Sequence, residues 1–82
     1  MRSKAEMIAE LRKLLNAMFV AQAEGSNYVR LARERGYVDG YMRVMLDGGH
    51  ATTKELLEIV ARERARVRGP ATSEIAADLA LT

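Results

Sequence analysis

Hydrophobic positions recur in steps of three and four almost from the start of the chain. Met7, Leu11, Leu14, Met18, Ala21, Gly25, Tyr28 and Ala32 keep one register, and Ile8, Leu15, Gln22 and Val29 run beside them. That spacing lays an apolar stripe along one face of an α-helix. Ser3-Lys4-Ala5-Glu6 in front of it is a capping box, in which the Ser3 hydroxyl accepts from the Glu6 amide and the Glu6 carboxylate reaches back to the Ser3 amide. Because the register continues across Gly25, the pattern predicts one long helix over residues 4–35, with Gly36 as the left-handed residue that ends it. Gly25-Ser26-Asn27 is the competing signal. It is able to close one helix and open another, and a glycine inside a helix costs about 1 kcal/mol relative to alanine.

A second helix is predicted over 38–47, where Val38, Tyr41, Met42 and Met45 share a face and Asp39 is placed to pair with Arg43 on the other. Gly48-Gly49 ends it. Thr52-Thr53-Lys54-Glu55 repeats the capping-box logic and opens a third helix over 53–68, carrying Leu56, Leu57, Val60, Ala61 and Val67 until Gly69-Pro70 stops it. Thr72 or Ser73 then caps a short helix over 73–81. The expectation is an all-α, small helical bundle forming a single domain over 1–82, with no internal repeat and no linker long enough to separate domains.

Size adds a constraint. A helix of 32 residues runs ~48 Å, whereas a compact globule of 82 residues has a radius of gyration of only ~12 Å. The predicted long helix therefore overhangs its own domain, and the stripe from Met7 to Ala32 needs a cover that two shorter helices cannot supply. A second copy is the simplest one, with Ala21, Gly25 and Ala32 letting backbones approach closely. Homo-oligomerisation through Met7, Leu11, Leu14, Met18, Ala21, Gly25, Tyr28 and Ala32 is the resulting expectation.

Composition agrees with helices and removes several classes of function. Apolar residues make up 49% of the chain, but aromatics only 5% and tryptophan none, so the core volume is Ala, Leu, Met, Val and Ile. With no cysteine there is no disulfide framework or thiolate metal site, which fits a cytoplasmic protein. Ala21-Gln22-Ala23 has the form of a signal-peptidase site, yet Glu6, Glu10, Arg12 and Lys13 interrupt the segment before it, and no stretch is apolar enough to span a membrane.

Candidate chemistry is sparse. His50, the only histidine, stands in a glycine turn beside Asp47, and two ligands without a cysteine or second histidine make a poor metal site. Glu6/Glu10 and Glu55/Glu58 have the spacing of solvated helix faces, Glu10 with Lys13 and Glu58 with Arg62 that of surface ion pairs. No glycine-rich phosphate loop follows a strand. The sequence thus reads as a non-enzyme that needs no cofactor.

The most pointed feature is Arg62-Glu63-Arg64-Ala65-Arg66-Val67-Arg68, four arginines in seven residues of a chain whose formal net charge is only +2. Cations near a helix C-terminus complement its dipole without any partner, but Arg62, Arg64, Arg66 and Arg68 also offer a basic collar to an anionic one. A helix-turn-helix fits poorly, because Glu55 and Glu58 occupy the first turns of the helix that would enter the major groove. The leading expectation is a small protein-interaction or regulatory module whose partners are itself and another protein, contacted through Tyr37, Tyr41 and the arginines. The alternative is a nucleic-acid-binding architectural or regulatory protein built on the arginine cluster.

Overall fold

The computed structural model describes the backbone of residues 2–81 and the side chains of residues 2–67. It contains three helices, α1 (Lys4–Ala23), α2 (Tyr28–Asp47) and α3 (Thr53–Leu81), and no strand among the described residues. Both predicted capping boxes form. The Ser3 hydroxyl accepts from the Glu6 amide at 3.1 Å and the Thr52 hydroxyl from the Glu55 amide at 3.1 Å, with each glutamate bonded back to its cap amide.

The long helix over 4–35 does not form. At the end of α1, Gly25 adopts φ +71°, its amide donates to the Gln22 carbonyl at 3.1 Å, and the Ser26 amide donates to Ala21 at 3.0 Å. This paired closure around a left-handed glycine satisfies the carbonyls that a helix end leaves unmatched. Asn27 then caps α2, its side-chain oxygen accepting from the Arg30 amide at 2.9 Å. Two local caps therefore outweigh the continuity of the apolar register. Tyr28, which keeps that register, is 83% exposed, and Ala32 is exposed as well.

Gly36 is consequently not a helix end, and α2 passes through both Gly36 and Gly40. At its far end the closure seen at Gly25 recurs. Gly49 has φ +71° and donates to Leu46 at 3.1 Å, while the His50 amide donates to Met45 at 2.9 Å. The third helix also outruns its expected stop. Instead of two helices over 53–68 and 73–81, the backbone is one helix through Gly69-Pro70. Four alanines and two leucines between Ala71 and Leu81 supply the helix propensity that carries it on.

α1 packs against both neighbours, which scarcely touch each other. Its central row is Met7, Leu11, Leu15 and Phe19, in steps of four, with Ile8, Leu14 and Met18 half-buried beside it. The expected face of α2 forms: Val38 and Met45 are buried, and Tyr41 and Met42 pack on the core. Leu56 anchors α3, with Ile59, Val60 and Val67 around it. The Lys4–Glu55 and Arg12–Glu63 contacts join residues with the same separation in sequence, 51, so α1 and α3 run parallel. With a tight reversal at Gly25, α2 runs antiparallel to both. The Cα radius of gyration is 14.7 Å, above the ~12 Å of a compact chain of this length.

Lys4 and Glu55 tie the two capped helix starts together with an exposed ion pair at 2.7 Å. That hydrogen bond from Lys4, followed by the one from the Thr52 amide, holds the Glu55 carboxyl below its ordinary value. A carboxyl depressed in the folded state contributes stability above its unfolded value and loses it as pH falls through the folded one. Glu55 in a Lys4→Gln variant should therefore titrate at higher pH by carbon-detected NMR. The small stability difference between variant and wild type should be present at neutral pH and vanish in acid; a difference that persists in acid would show that Lys4 acts by other means.

Gly25 has open space where a side chain would start, so Gly25→Ala tests the left-handed backbone alone. The substitution should cost about 1–2 kcal/mol, read as a shift in urea midpoint at unchanged slope. A neutral outcome would mean the turn tolerates an ordinary residue.

Candidate functional site

The eight residues expected to form an oligomer seam separate into two groups. Met7, Leu11 and Ala21 are buried inside the single chain, and Leu14 and Met18 pack against its core. Gly25 sits in the turn, while Tyr28 and Ala32 lie exposed on a different helix. The first five already have an intramolecular cover, so they need no second copy to shield them from water.

Among the described residues the exposed apolar side chains lie mainly on α2, with Leu57 of α3 exposed as well, and the outer side of α2 carries several of them. At 100° per residue, Val29, Arg33, Gly36, Gly40 and Asp47 fall opposite Val38 and Met45, with Tyr37 and Val44 along one edge. Val29 is 66% exposed, Tyr37 56% and Val44 60%. Neither Gly36 nor Gly40 would meet any atom of the described residues within 4 Å if it gained a Cβ. Each lowers helix propensity by about 1 kcal/mol relative to alanine, and nothing among the described residues requires either to be small. Tyr41 turns inward by contrast and lines a cleft of about 450 Å³ with Met7, Glu10 and His50.

The arginine run is less uniform than a collar. The Arg64 guanidinium lies over the Phe19 ring, 5.7 Å from its centroid, and closes one end of the core by cation–π contact. Arg62 is exposed, and Arg66 reaches Glu63 at 3.6 Å with its side chain 63% exposed. The side chain of Arg68 lies outside the described residues. None of Asp39–Arg43, Glu10–Lys13 or Glu58–Arg62 is an ion pair in this structure; the pairs among the described residues are those of Lys4 with Glu55 and of Glu63 with Arg12 and Arg66.

Glu63 is the residue that reading the run as a basic cluster conceals. It is 2% exposed, on the apolar face of α3 defined by Leu56, Val60 and Val67. Its Oε1 accepts from Arg12 Nε of α1 at 2.8 Å, while Oε2 is sealed from solvent with no hydrogen-bond partner among the described residues. Two clefts, of about 250 and 390 Å³, meet at Arg12, Glu63 and Arg66, one also lined by Arg62 and the other by Lys13. The signal in the sequence is positional: Leu56, Val60, Glu63 and Val67 keep steps of four, three and four, so a charge occupies the middle of an apolar row.

His50 is exposed, and its ring lies over Gly48, where an added Cβ would fall 2.7 Å from Cδ2. The described residues contain no group of three or more side chains able to hold a metal. No helix of the described residues is long and apolar enough to cross a membrane. Compared with known proteins, the chain matches no family model, no curated protein and no solved structure.

Removing one partner of a buried charge leaves the other desolvated, whereas replacing it with an apolar residue of similar volume does not. Arg12→Ala should accordingly cost about 1–3 kcal/mol by stranding Glu63. Glu63→Met, which also removes the unpartnered oxygen, should cost distinctly less in the same urea titration. The reverse order would show that the ion pair itself stabilises the fold.

Proposed function

We propose that this chain is a small interaction module, acting in the cytoplasm without catalytic chemistry of its own, that pairs with a second copy through the outer side of α2. The observation that carries the reading is the pair of mid-helix glycines, Gly36 and Gly40, open to solvent between exposed Val29, Tyr37 and Val44. Glycines four apart on a helix let a second helix approach at backbone distance, so that flanking side chains interlock around the contact. The face is also complementary to itself. Arg33 and Asp47 stand seven residues either side of Gly40, so two antiparallel copies of α2 crossing at Gly40 bring Arg33 of each against Asp47 of the other. Such a two-fold contact uses one patch twice and closes.

The test separates pairing from folding. Alanine at a mid-helix glycine stabilises an isolated helix by about 1 kcal/mol, so Gly36→Ala with Gly40→Ala should raise the thermal midpoint of the dilute monomer. The same double variant should weaken dimerisation at least tenfold in sedimentation equilibrium. A wild-type chain that remains a 9.1 kDa monomer at high micromolar concentration would sink the proposal. So would a double variant that dimerises as well as the parent.

A further inference from the structure

The cleft between α1 and α3 has a construction that self-association through α2 leaves unexplained. A carboxylate on an apolar helix face carries a desolvation cost, and Glu63 carries it with one oxygen unmatched. What this arrangement achieves is the placement of cations. Arg12 from α1 is fixed by its Nε, which leaves both terminal nitrogens of its guanidinium uncommitted to Glu63. Arg66 stands against the same carboxylate at 3.6 Å, too far for a hydrogen bond, so its donors are not consumed there. Arg62 and Lys13 line the adjoining clefts, and neither has an ion-pair partner among the described residues. Four cationic side chains thus surround one buried anion, leaving a local excess of three positive charges in a chain that is +2 overall.

We propose that this cleft binds a phosphate group, held by Arg12, Arg62 and Arg66 with Lys13 at its edge, and that Glu63 is the positioning residue that holds the arginines in place. Three chemical features favour phosphate. Guanidinium forks match its oxygens in pairs, the charge excess exceeds what a single carboxylate neutralises, and the open clefts give its remaining oxygens access to water. Glu63 keeps like-charged guanidinium groups near one another before the ligand arrives, so less ordering remains to be done on binding. The site uses α1 and α3 only, so it stands or falls independently of pairing through α2.

The experiment follows the arginine side-chain Nε–Hε signals by NMR at constant ionic strength. The full-length chain is titrated with inorganic phosphate against chloride, and separately with a short oligothymidylate. The expected result is saturable shifts confined to Arg12, Arg62 and Arg66. Tighter binding of the oligonucleotide than of phosphate, per phosphate group and by tenfold or more, would assign the source to a nucleic-acid backbone; equal binding would assign it to a free phosphate or phosphate-bearing small molecule. Arg62→Gln with Lys13→Gln should weaken binding at least tenfold, and neither side chain enters any hydrogen bond or ion pair of the described fold. Glu63→Gln supplies the sign that general charge attraction would not. It raises the net charge by one, so mere attraction predicts tighter binding, whereas loss of positioning predicts binding several-fold weaker. If Glu63→Gln loses helicity by circular dichroism, the Arg62/Lys13 variant decides alone. Shifts with neither ligand, no loss of binding in the Arg62/Lys13 variant, or tighter binding by a folded Glu63→Gln variant would overturn the proposal.

Discussion

Everything in this fold depends on α1, because α2 and α3 each pack on it and scarcely on one another. Its row of Met7, Leu11, Leu15 and Phe19 advances in steps of four, so it winds slowly round the helix instead of holding one line. A winding row is able to serve two neighbours from one helix. The cost falls on the flanks: α2 is anchored at Val38 and Met45 while its outer side stays bare, and α3 sits on α1 with a charged residue in the contact. Both candidate surfaces arise from this one-sided construction.

The helix content and the inner face of α2 were legible in the chain, since Val38, Tyr41, Met42 and Met45 pack as their spacing requires and both capping boxes close. The starts at Lys4 and Thr53 and the end at Asp47 were legible too, but the break at Gly25 was not, and the reason is one of scale. Apolar register is a long-range pattern that a turn does not erase, so Tyr28 and Ala32 prolong the series of α1 after the chain has reversed. The turn itself is decided by a few hydrogen bonds around Gly25 and Asn27, each local and each comparable in energy to the penalty for an internal glycine. Gly36 is the converse case. It resembles a terminator, but no capping sequence follows it, and the helix continues.

The candidate site was half visible. The arginine cluster announces itself, but its members serve different purposes: Arg64 covers Phe19, Arg66 leans on Glu63, and Arg62 stays exposed. The organising residue is the acid between them, whose importance depends on Arg12, 51 positions earlier in the chain. No local pattern joins those two. Only the parallel course of α1 and α3 does, and that follows from the two reversals at Gly25 and Gly49.

That parallel course also orders the folding of the chain. The α1–α2 pair closes across a loop of four residues, whereas α3 returns to α1 only after an intervening helix, and closing a longer loop costs more entropy and takes more time. Loop closure therefore favours the hairpin of α1 and α2 over the docking of α3 as the earlier contact. Run backwards, the same hierarchy makes departure of α3 the first large excursion of the native state. Such an excursion breaks the Arg12–Glu63 contact and bares the centre of α1 in one movement. The half-exposed Arg12–Glu63 pair thus exists only while the last element to arrive stays docked.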